Sequence, residues 1–351
     1  MSEVRKMKKW FETENNTNDS AIVVSTRIRL ARNLSDVPFP DRMSEEQKYD
    51  VISKIEKALE NAKFGKNIEL NKIEMEKIDD IEANALAERR IISPAFAKNR
   101  IGRALFLSSD ESVAILVNEE DHIRIQVLSS GSDLPVCLKI ATEIDNFLDS
   151  KLSFAFDETL GYLTQCPTNL GTGLRASVML HLPMMENGRM IENLSNTVSK
   201  LGMTVRGSMG EGTSVKGALY QISNQVTLGI SEQNAIDNLM SIVNQVIVKE
   251  QNLRNTAFEN DTLGTNDKIF RAWGIISQAR LISSEELLSL LSLIRLGASL
   301  GVLKTNYGIL NSLLFESGAF ELCVKYGGTP DARKRDELRA NLVREKLSTL
   351  L

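Results

Sequence analysis

The stretch Val113-Ala114-Ile115-Leu116-Val117-Asn118-Glu119-Glu120-Asp121-His122-Ile123-Arg124-Ile125-Gln126-Val127 decides the fold class. Five apolar residues run into an acidic segment, and alternation follows. Read as an extended strand of period two, Asn118, Glu120, His122, Arg124 and Gln126 share one face, while Ile123, Ile125 and Val127 form the core side. Glu120 and Arg124 then stand on one polar surface, a candidate base beside a candidate anion binder. A solvated strand face ending in an acidic turn is an equal alternative on these residues alone.

Upstream, Ala104 to Ser108 and Val113 to Val117 flank Ser109-Asp110-Glu111, the pattern of a hairpin that the quoted stretch extends into a meander. Earlier still, Ile22-Val23-Val24-Ser25-Thr26-Arg27-Ile28-Arg29-Leu30 alternates so that Arg27 and Arg29 share the polar face. Two guanidinium forks two residues apart suit phosphate oxygens, with a pair of surface arginines as the plainer reading. Helices are predicted from the capping box Ser44-Glu45-Glu46-Gln47 to about Lys63, over Ile81 to Arg90 (ended by Ile91-Ile92-Ser93-Pro94), over Leu134 to Leu152, around Met190 to Leu201, and from Ser231 to about Arg254. Gln221 to Leu228 reads as a strand. The fold class is therefore α+β: an antiparallel sheet flanked by helices.

Two glycine-rich loops interrupt this order. Gly161 to Ser177 contains Cys166-Pro167-Thr168-Asn169-Leu170-Gly171-Thr172-Gly173, which is expected to lead into a helix near Gly173 with Arg175 in its first turn, a natural anion site. It is not a Walker A loop, because no GK[ST] follows. Cys166 is either a buried structural cysteine or a thiolate held by an electropositive setting. The second loop, Val205 to Thr213, carries Arg206 and Glu211. From about Asp261 the pattern is helical and leucine-rich, with a boundary near residue 255, so the chain divides into a flexible 1–20, a catalytic 21–255 and an all-helical 256–351.

Composition narrows the class. A net charge of -4 gives no global footprint for nucleic acid, and two histidines, His122 and His181, argue against a histidine-built zinc site. The cysteines Cys137, Cys166 and Cys323 form no disulfide or metal spacing. The most apolar run, Leu287 to Ile294, is too short to span a bilayer, and the N-terminus lacks a secretory h-region. A cytoplasmic protein is expected.

Arg27, Arg29, Arg124, Arg175 and Arg206 recur beside strands or glycine loops, where lysine is absent. Many bidentate forks suit a polyphosphate. Glu120 and Glu211 would repel phosphate and so face a second, cationic substrate. The motifs STRIRLARN (25–33), NEEDHIR (118–124), CPTNLGTGLRAS (166–177) and VRGSMGEG (205–212) resemble the ATP:guanidino phosphotransferases, the family of arginine and creatine kinases, over roughly residues 21–255. Within that family the layout resembles the bacterial protein arginine kinases. It lacks the helical N-terminal domain of small-molecule phosphagen kinases and carries RDELRA (335–340) in a helical C-terminal region.

The resemblance implies that Arg27, Arg29, Arg124, Arg175 and Arg206 clamp the phosphates of ATP, that Glu120 and Glu211 hold the acceptor guanidinium with Glu120 as base, and that Cys166 tunes its position. Mg2+ would be held mainly by nucleotide and water, with Glu119 and Asp121 ordering those waters and no metal ligand assigned. Arg335, Asp336, Arg339 and Ala340 would form a regulatory phosphoarginine pocket. Implied partners are proteins presenting arginine, a zinc-finger activator, a Clp chaperone-protease that consumes the marked proteins in stress and quality control, and a second copy in a homodimer. Two departures stand out: Arg90 occupies the place of a nucleotide-contacting histidine, and Met209 replaces a basic residue of small-molecule arginine kinases, which weakens a free-arginine reading. The rival functions are a kinase of a free guanidino metabolite and a non-catalytic phosphoarginine-binding adaptor.

Overall fold

Alternating apolar residues build the sheet on which the rest of the chain is arranged. The computed structural model describes residues 8–13, 19–65, 68–207 and 217–348. Its strands are β1 (Val23–Arg32), β2 (Leu70–Glu74), β3 (Ala104–Ser108), β4 (Val113–Val117), β5 (Ile123–Ser130), β6 (Phe156–Asp157), β7 (Gly161–Tyr162), β8 (Leu174–His181), β9 (Met203–Gly207) and β10 (Leu219–Asn224). Eight of them form one sheet in the order β2-β3-β4-β5-β1-β8-β10-β9, antiparallel at every pairing, while β6 and β7 make a separate hairpin. The helices are α1 (Glu45–Leu59), α2 (Asp80–Glu88), α3 (Pro94–Lys98), α4 (Leu134–Asp149), α5 (Pro183–Asn187), α6 (Ile191–Ser199) and α7 (Glu232–Asn260), then α8 (Thr262–Gln278), α9 (Ser284–Ser299), α10 (Tyr307–Glu316), α11 (Ala319–Tyr326) and α12 (Ala332–Leu347). This is the α+β arrangement with a helical C-terminal region.

Period two sends one set of side chains to each face. Ile28, Leu30, Ile115, Ile123, Ile125, Val127, Val178 and Ile222 pack under α1, α4 and α7, through residues such as Val51, Ile144 and Leu239. Each such buried aliphatic side chain stabilises the fold by about 1.5–3 kcal/mol. On the opposite face, Leu105, Leu107, Ala114, Leu116, Leu128 and Met179 meet Trp10, Phe11, Leu86, Phe96 and Phe315. That second cover meets the central strands at one end, through Val24, Leu128 and Met179, and the arginines lie further along those strands. The C-terminal helices have a core of their own, including Ile276, Leu287, Ile294, Leu313 and Val343. Phe315 of α10 belongs instead to the sheet's cluster, so the two regions are packed together. Among the described residues no helix is long and apolar enough to cross a membrane.

Several boundaries follow local chemistry. Ser44 and Gln47 form the expected capping box, Ser44 Oγ accepting from the Gln47 N–H at 3.3 Å and Gln47 Oε1 from the Ser44 N–H at 2.9 Å. A cap of this kind contributes about 1 kcal/mol. The helix that carries residue 255 runs on to Asn260, and Asp261 then caps α8 by accepting from the Gly264 N–H. Three expectations need correction. Asn118–His122 is the turn between β4 and β5 rather than strand, with Asn118 at φ 60. No helix starts at Gly173; Leu174–His181 is strand β8, held between β1 and β10, so pairing partners outweigh the local turn signal. The strand read as Gln221–Leu228 is β10, Leu219–Asn224.

Candidate active site

Strand register gathers the five arginines on one face. Arg29 of β1 stands opposite Arg175 of β8 on one side and Gln126 of β5 on the other. Arg124 lies opposite Ala31, diagonal to Arg29. Arg27 is opposite Ser177, and its guanidinium donates to Gln221 Oε1 at 3.2 Å; Gln221 is in turn opposite Arg206 on β9. Facing and diagonal side chains on a sheet lie within reach of one another. A continuous cationic patch therefore follows from alternation plus register.

Like charges so placed resist protonation. Burial, then Arg90, Arg124 and Arg175, push Arg27 down to about 9. Burial and Arg27, Arg124 and Arg175 hold Arg29 well below the usual guanidinium range. Arg175 is lowered by burial and then by Arg206, with Cys166 and Glu120 acting against that shift. Guanidinium groups keep their charge at neutral pH, so these directions measure a want of negative charge. Moreover Nε of Arg29 and Nε of Arg175 are buried with no acceptor among the described residues. A polyanion with many oxygens fits this donor set.

Arg90 joins the patch through a strained turn. It follows α2 in left-handed backbone at φ 65. Its N–H bonds the carbonyl of Ala87 and the next N–H, of Ile91, bonds that of Leu86, closing the helix in a position usually given to glycine. Gln126 clamps this turn to the sheet by donating to the carbonyls of Arg90 (3.1 Å) and Ile91 (3.0 Å). Burial pulls Arg90 down to about 10, and its charge lowers Arg27 more than that of any other neighbour. A strained residue at an anion site is a common functional feature.

The acidic turn divides its labour. Glu120 is partly open to solvent and pairs with Arg124 Nη2 at 3.2 Å. Glu119 is buried, paired with Arg124 Nη1 and hydrogen-bonded by the Ser93 hydroxyl at the start of α3. Asp121 turns inward, where its Oδ1 accepts from Asn33 Nδ2 at 2.6 Å and from the Gln165 N–H at 2.8 Å. Its Oδ2 is sealed from solvent, which corrects the expectation that it orders waters at the site. His122 does not share the face of Glu120: it is fully buried, its Nδ1 accepting from the Leu34 N–H (3.0 Å) and its Nε2–H donating to the Pro38 carbonyl (2.9 Å). A turn at 118–122 breaks the alternation that placed them together.

The Cys166 loop closes the other side. Cys166 is partly exposed, its Sγ 3.0 Å from Thr168 Oγ1. The loop returns to the sheet under Arg32, which is stacked 3.5 Å from the Tyr162 ring centroid and donates to Thr172 O (2.9 Å) and Asp145 (2.7 Å). Gly173 sits at φ +62, and a Cβ there would come within 2.6 Å of the Ala31 carbonyl. Gly171, at φ +107, would collide in the same way with the Thr227 carbonyl. Gly173 lets the loop lie against β1, and Gly171 lets it lie against the segment that follows β10.

The remaining sites separate. Glu211 and Met209 lie outside the described residues. Arg335 and Asp336 are partly exposed near the start of α12. Arg339 is buried and donates to Ser317 O (3.0 Å), Ile282 O (2.8 Å) and Asp336 Oδ1 (2.6 Å). Ala340 is in the helical core with no exposed surface, so in this conformation it is packing rather than lining. Gln126, Gln221 and Ser93 act as supports that residue type alone did not single out; only the parity of Gln126 with Arg124 hinted at one of them.

Comparison with known proteins places the chain. Residues 50–253 match the family described as ATP:guanido phosphotransferase, C-terminal catalytic domain, and residues 262–350 match the protein-arginine kinase McsB C-terminal domain. The protein-arginine kinase of Brevibacillus brevis is 43% identical over 332 residues, covering 94% of this chain and 92% of that protein. That of Symbiobacterium thermophilum is 44% identical, covering 93% of each, and that of Clostridium kluyveri 42%, covering 97% and 99%. Among solved structures, the duplicated taurocyamine kinase of Schistosoma mansoni with bound transition-state analogue components aligns at TM-score 0.59 and 29% identity, over 68% of this chain and 35% of that one. Lombricine kinase aligns at TM-score 0.60 and 24% identity, over 72% and 73%, a likeness of fold.

Proposed function

We propose, from the premise that this chain belongs to the ATP:guanido phosphotransferase family, that it is a protein arginine kinase, moving the γ-phosphoryl of ATP to arginine side chains of proteins. The observation that carries the reading is the register-built arginine face with Glu120 at its edge, paired to one of those arginines. The near full-length likeness to protein-arginine kinases, C-terminal region included, supports protein as the acceptor.

Arg27, Arg29, Arg124, Arg175 and Arg206, with Arg90, hold the nucleotide phosphates, and each contact to the moving phosphoryl strengthens as charge develops. Glu120, with Glu211, faces the acceptor guanidinium, and Cys166 borders it. A guanidinium nitrogen attacks the γ-phosphorus, the bond to the β-phosphate oxygen breaks, ADP leaves, and the proton passes to Glu120. Free arginine holds its proton far above neutral pH, so prior deprotonation would cost about 9 kcal/mol. Proton removal is therefore coupled to P–N bond formation. Magnesium, carried by the nucleotide, supplies charge neutralisation. Among the described residues no three acids, histidines or cysteines form a metal cage.

Arg335 and Asp336 are the accessible part of a phosphoarginine pocket that regulates the kinase, with Arg339 as its buried support. Marking of proteins for a Clp-type protease, a zinc-finger activator, a homodimer and a cytoplasmic setting complete the reading. The test is phosphosite mapping by mass spectrometry after incubation with Mg-ATP and either casein or free arginine. The quench must be neutral, because P–N bonds are acid-labile. Phosphoarginine on casein, lost in Glu120→Gln with the fold intact, is expected. Transfer to free arginine alone, or full activity in Glu120→Gln, contradicts it.

A further inference from the structure

Glu120 and Cys166 come from different loops, yet the chemistry needs them at one fixed separation. A buried side-chain pair lies between those loops. Asn33, at the exit of β1, and Asp121 are each 1% exposed. Asp121 Oδ1 accepts from Asn33 Nδ2 at 2.6 Å and from the Gln165 N–H at 2.8 Å. Asn33 Nδ2 donates also to the Leu163 carbonyl at 2.9 Å, and Asn33 Oδ1 accepts from the His122 N–H at 2.9 Å. Asn33 thus holds the acidic turn at His122 and the cysteine loop at Leu163, while Asp121 ties the turn to Gln165. Asp121 follows Glu120 in sequence and Gln165 precedes Cys166, so the bridge ends one residue from each reacting group.

We propose that Asn33 and Asp121 are positioning residues that lock the Glu120 turn and the Cys166 loop into one rigid unit; the catalytic meaning of that lock rests on the kinase reading above. Burial keeps water from competing for these bonds, so loss of one partner is felt in full. The lock acts on the guanidinium side, and of the phosphate-side arginines the acidic turn pairs with Arg124. Arg27, Arg29 and Arg175 are held by sheet pairing, which Asn33 does not touch. Asp121 acts here as a fixed acceptor rather than as a charge, in keeping with its sealed Oδ2.

The experiment compares the full chain with Asn33→Ala and Asp121→Asn. Four readouts are taken: kcat, ATP affinity by calorimetry, the alkylation rate of Cys166 by iodoacetamide, and thermal unfolding. Cys137 and Cys323 are buried, so labelling reports on Cys166. A misplacement near 1 Å lowers rate by about 10²-fold, and that loss in kcat is expected for Asn33→Ala with ATP affinity within about twofold. Its Cys166 should alkylate several-fold faster. Asp121→Asn keeps the acceptor oxygen and should retain kcat within about threefold. Unchanged kcat and labelling in Asn33→Ala overturns the lock, as does a matching loss of ATP affinity. A collapse of kcat in Asp121→Asn with normal labelling makes Asp121 a charge and also overturns it. Should Asn33→Ala not fold, Asn33→Ser carries the same comparison. Labelling needs no phosphoryl transfer, so a wild-type chain that never phosphorylates protein would sink the kinase reading and leave the lock standing.

Discussion

Two sets of arginines in this molecule are held in opposite ways. On the sheet face, the half-buried Arg27, Arg29 and Arg175 crowd one another, and Nε of both Arg29 and Arg175 lacks an acceptor among the described residues. At the seam with the C-terminal helices, Arg295 is buried more deeply and lowered to about 10 by that burial, yet it donates to the carbonyls of Ala21 (3.0 Å) and Ser20 (2.6 Å) and to Asn311 Oδ1 (2.8 Å). Arg339 is likewise used up on two carbonyls and Asp336. A guanidinium surrounded by backbone acceptors is part of the fold. Several grouped on one half-open face with donors left over suit an anion, whereas Arg32 and Arg254, which also keep an unpartnered nitrogen, are each tied to a carboxylate.

Arg29→Ala and Arg295→Ala should break this contrast if it is wrong. Arg29→Ala is expected to lower phosphoryl transfer by about 10³-fold without lowering the melting temperature, since it relieves repulsion among like charges. A fall in stability matching the fall in rate would make Arg29 structural. Arg295→Ala is expected to destabilise the fold by about 3 kcal/mol, because it strands buried acceptors. Chemical denaturation reads this, and kcat per folded molecule should persist.

The two histidines sharpen the same comparison with a smaller effect. His122 lies under the acidic turn, and His181 lies at the seam, its Nδ1 beside Arg254 Nη2 (3.1 Å) and its Nε2 at Ser292 Oγ (2.8 Å). Burial lowers both, and Arg254 and Arg295 lower His181 further. A group whose folded value is depressed gives stability that is present above its unfolded value, about 6.5, and lost as pH falls through the folded one. The unfolding free energy should therefore drop with acid below about pH 6.5. With only two histidines in the chain, ring NMR resolves both. Either ring titrating at its ordinary value would contradict the burial and bonding described.

Legibility tracked the range of the interactions involved. The β3–β4 hairpin, the Ser44 box, the Arg27–Arg29 face and the stop before Pro94 rest on period, caps and proline, all local to the chain, and they match the structure. The helix read at Gly173 failed because glycine and partial charge say nothing of two strands waiting on either side. The role of Asp121 failed because three adjacent acids look alike until one is turned inward toward Asn33.

By itself, then, the amino-acid order determined β1 and the β3–β4 hairpin, the arginine-bearing motifs and the family they resemble, since side-chain period and residue chemistry are properties of the chain. Only the tertiary structure decided which arginines are spoken for, which carboxylate of the acidic turn faces the site, and how the helical C-terminal region meets the sheet. Those outcomes depend on which hydrogen-bond acceptors arrive from distant segments, and a buried donor's character is set by the partners it finds.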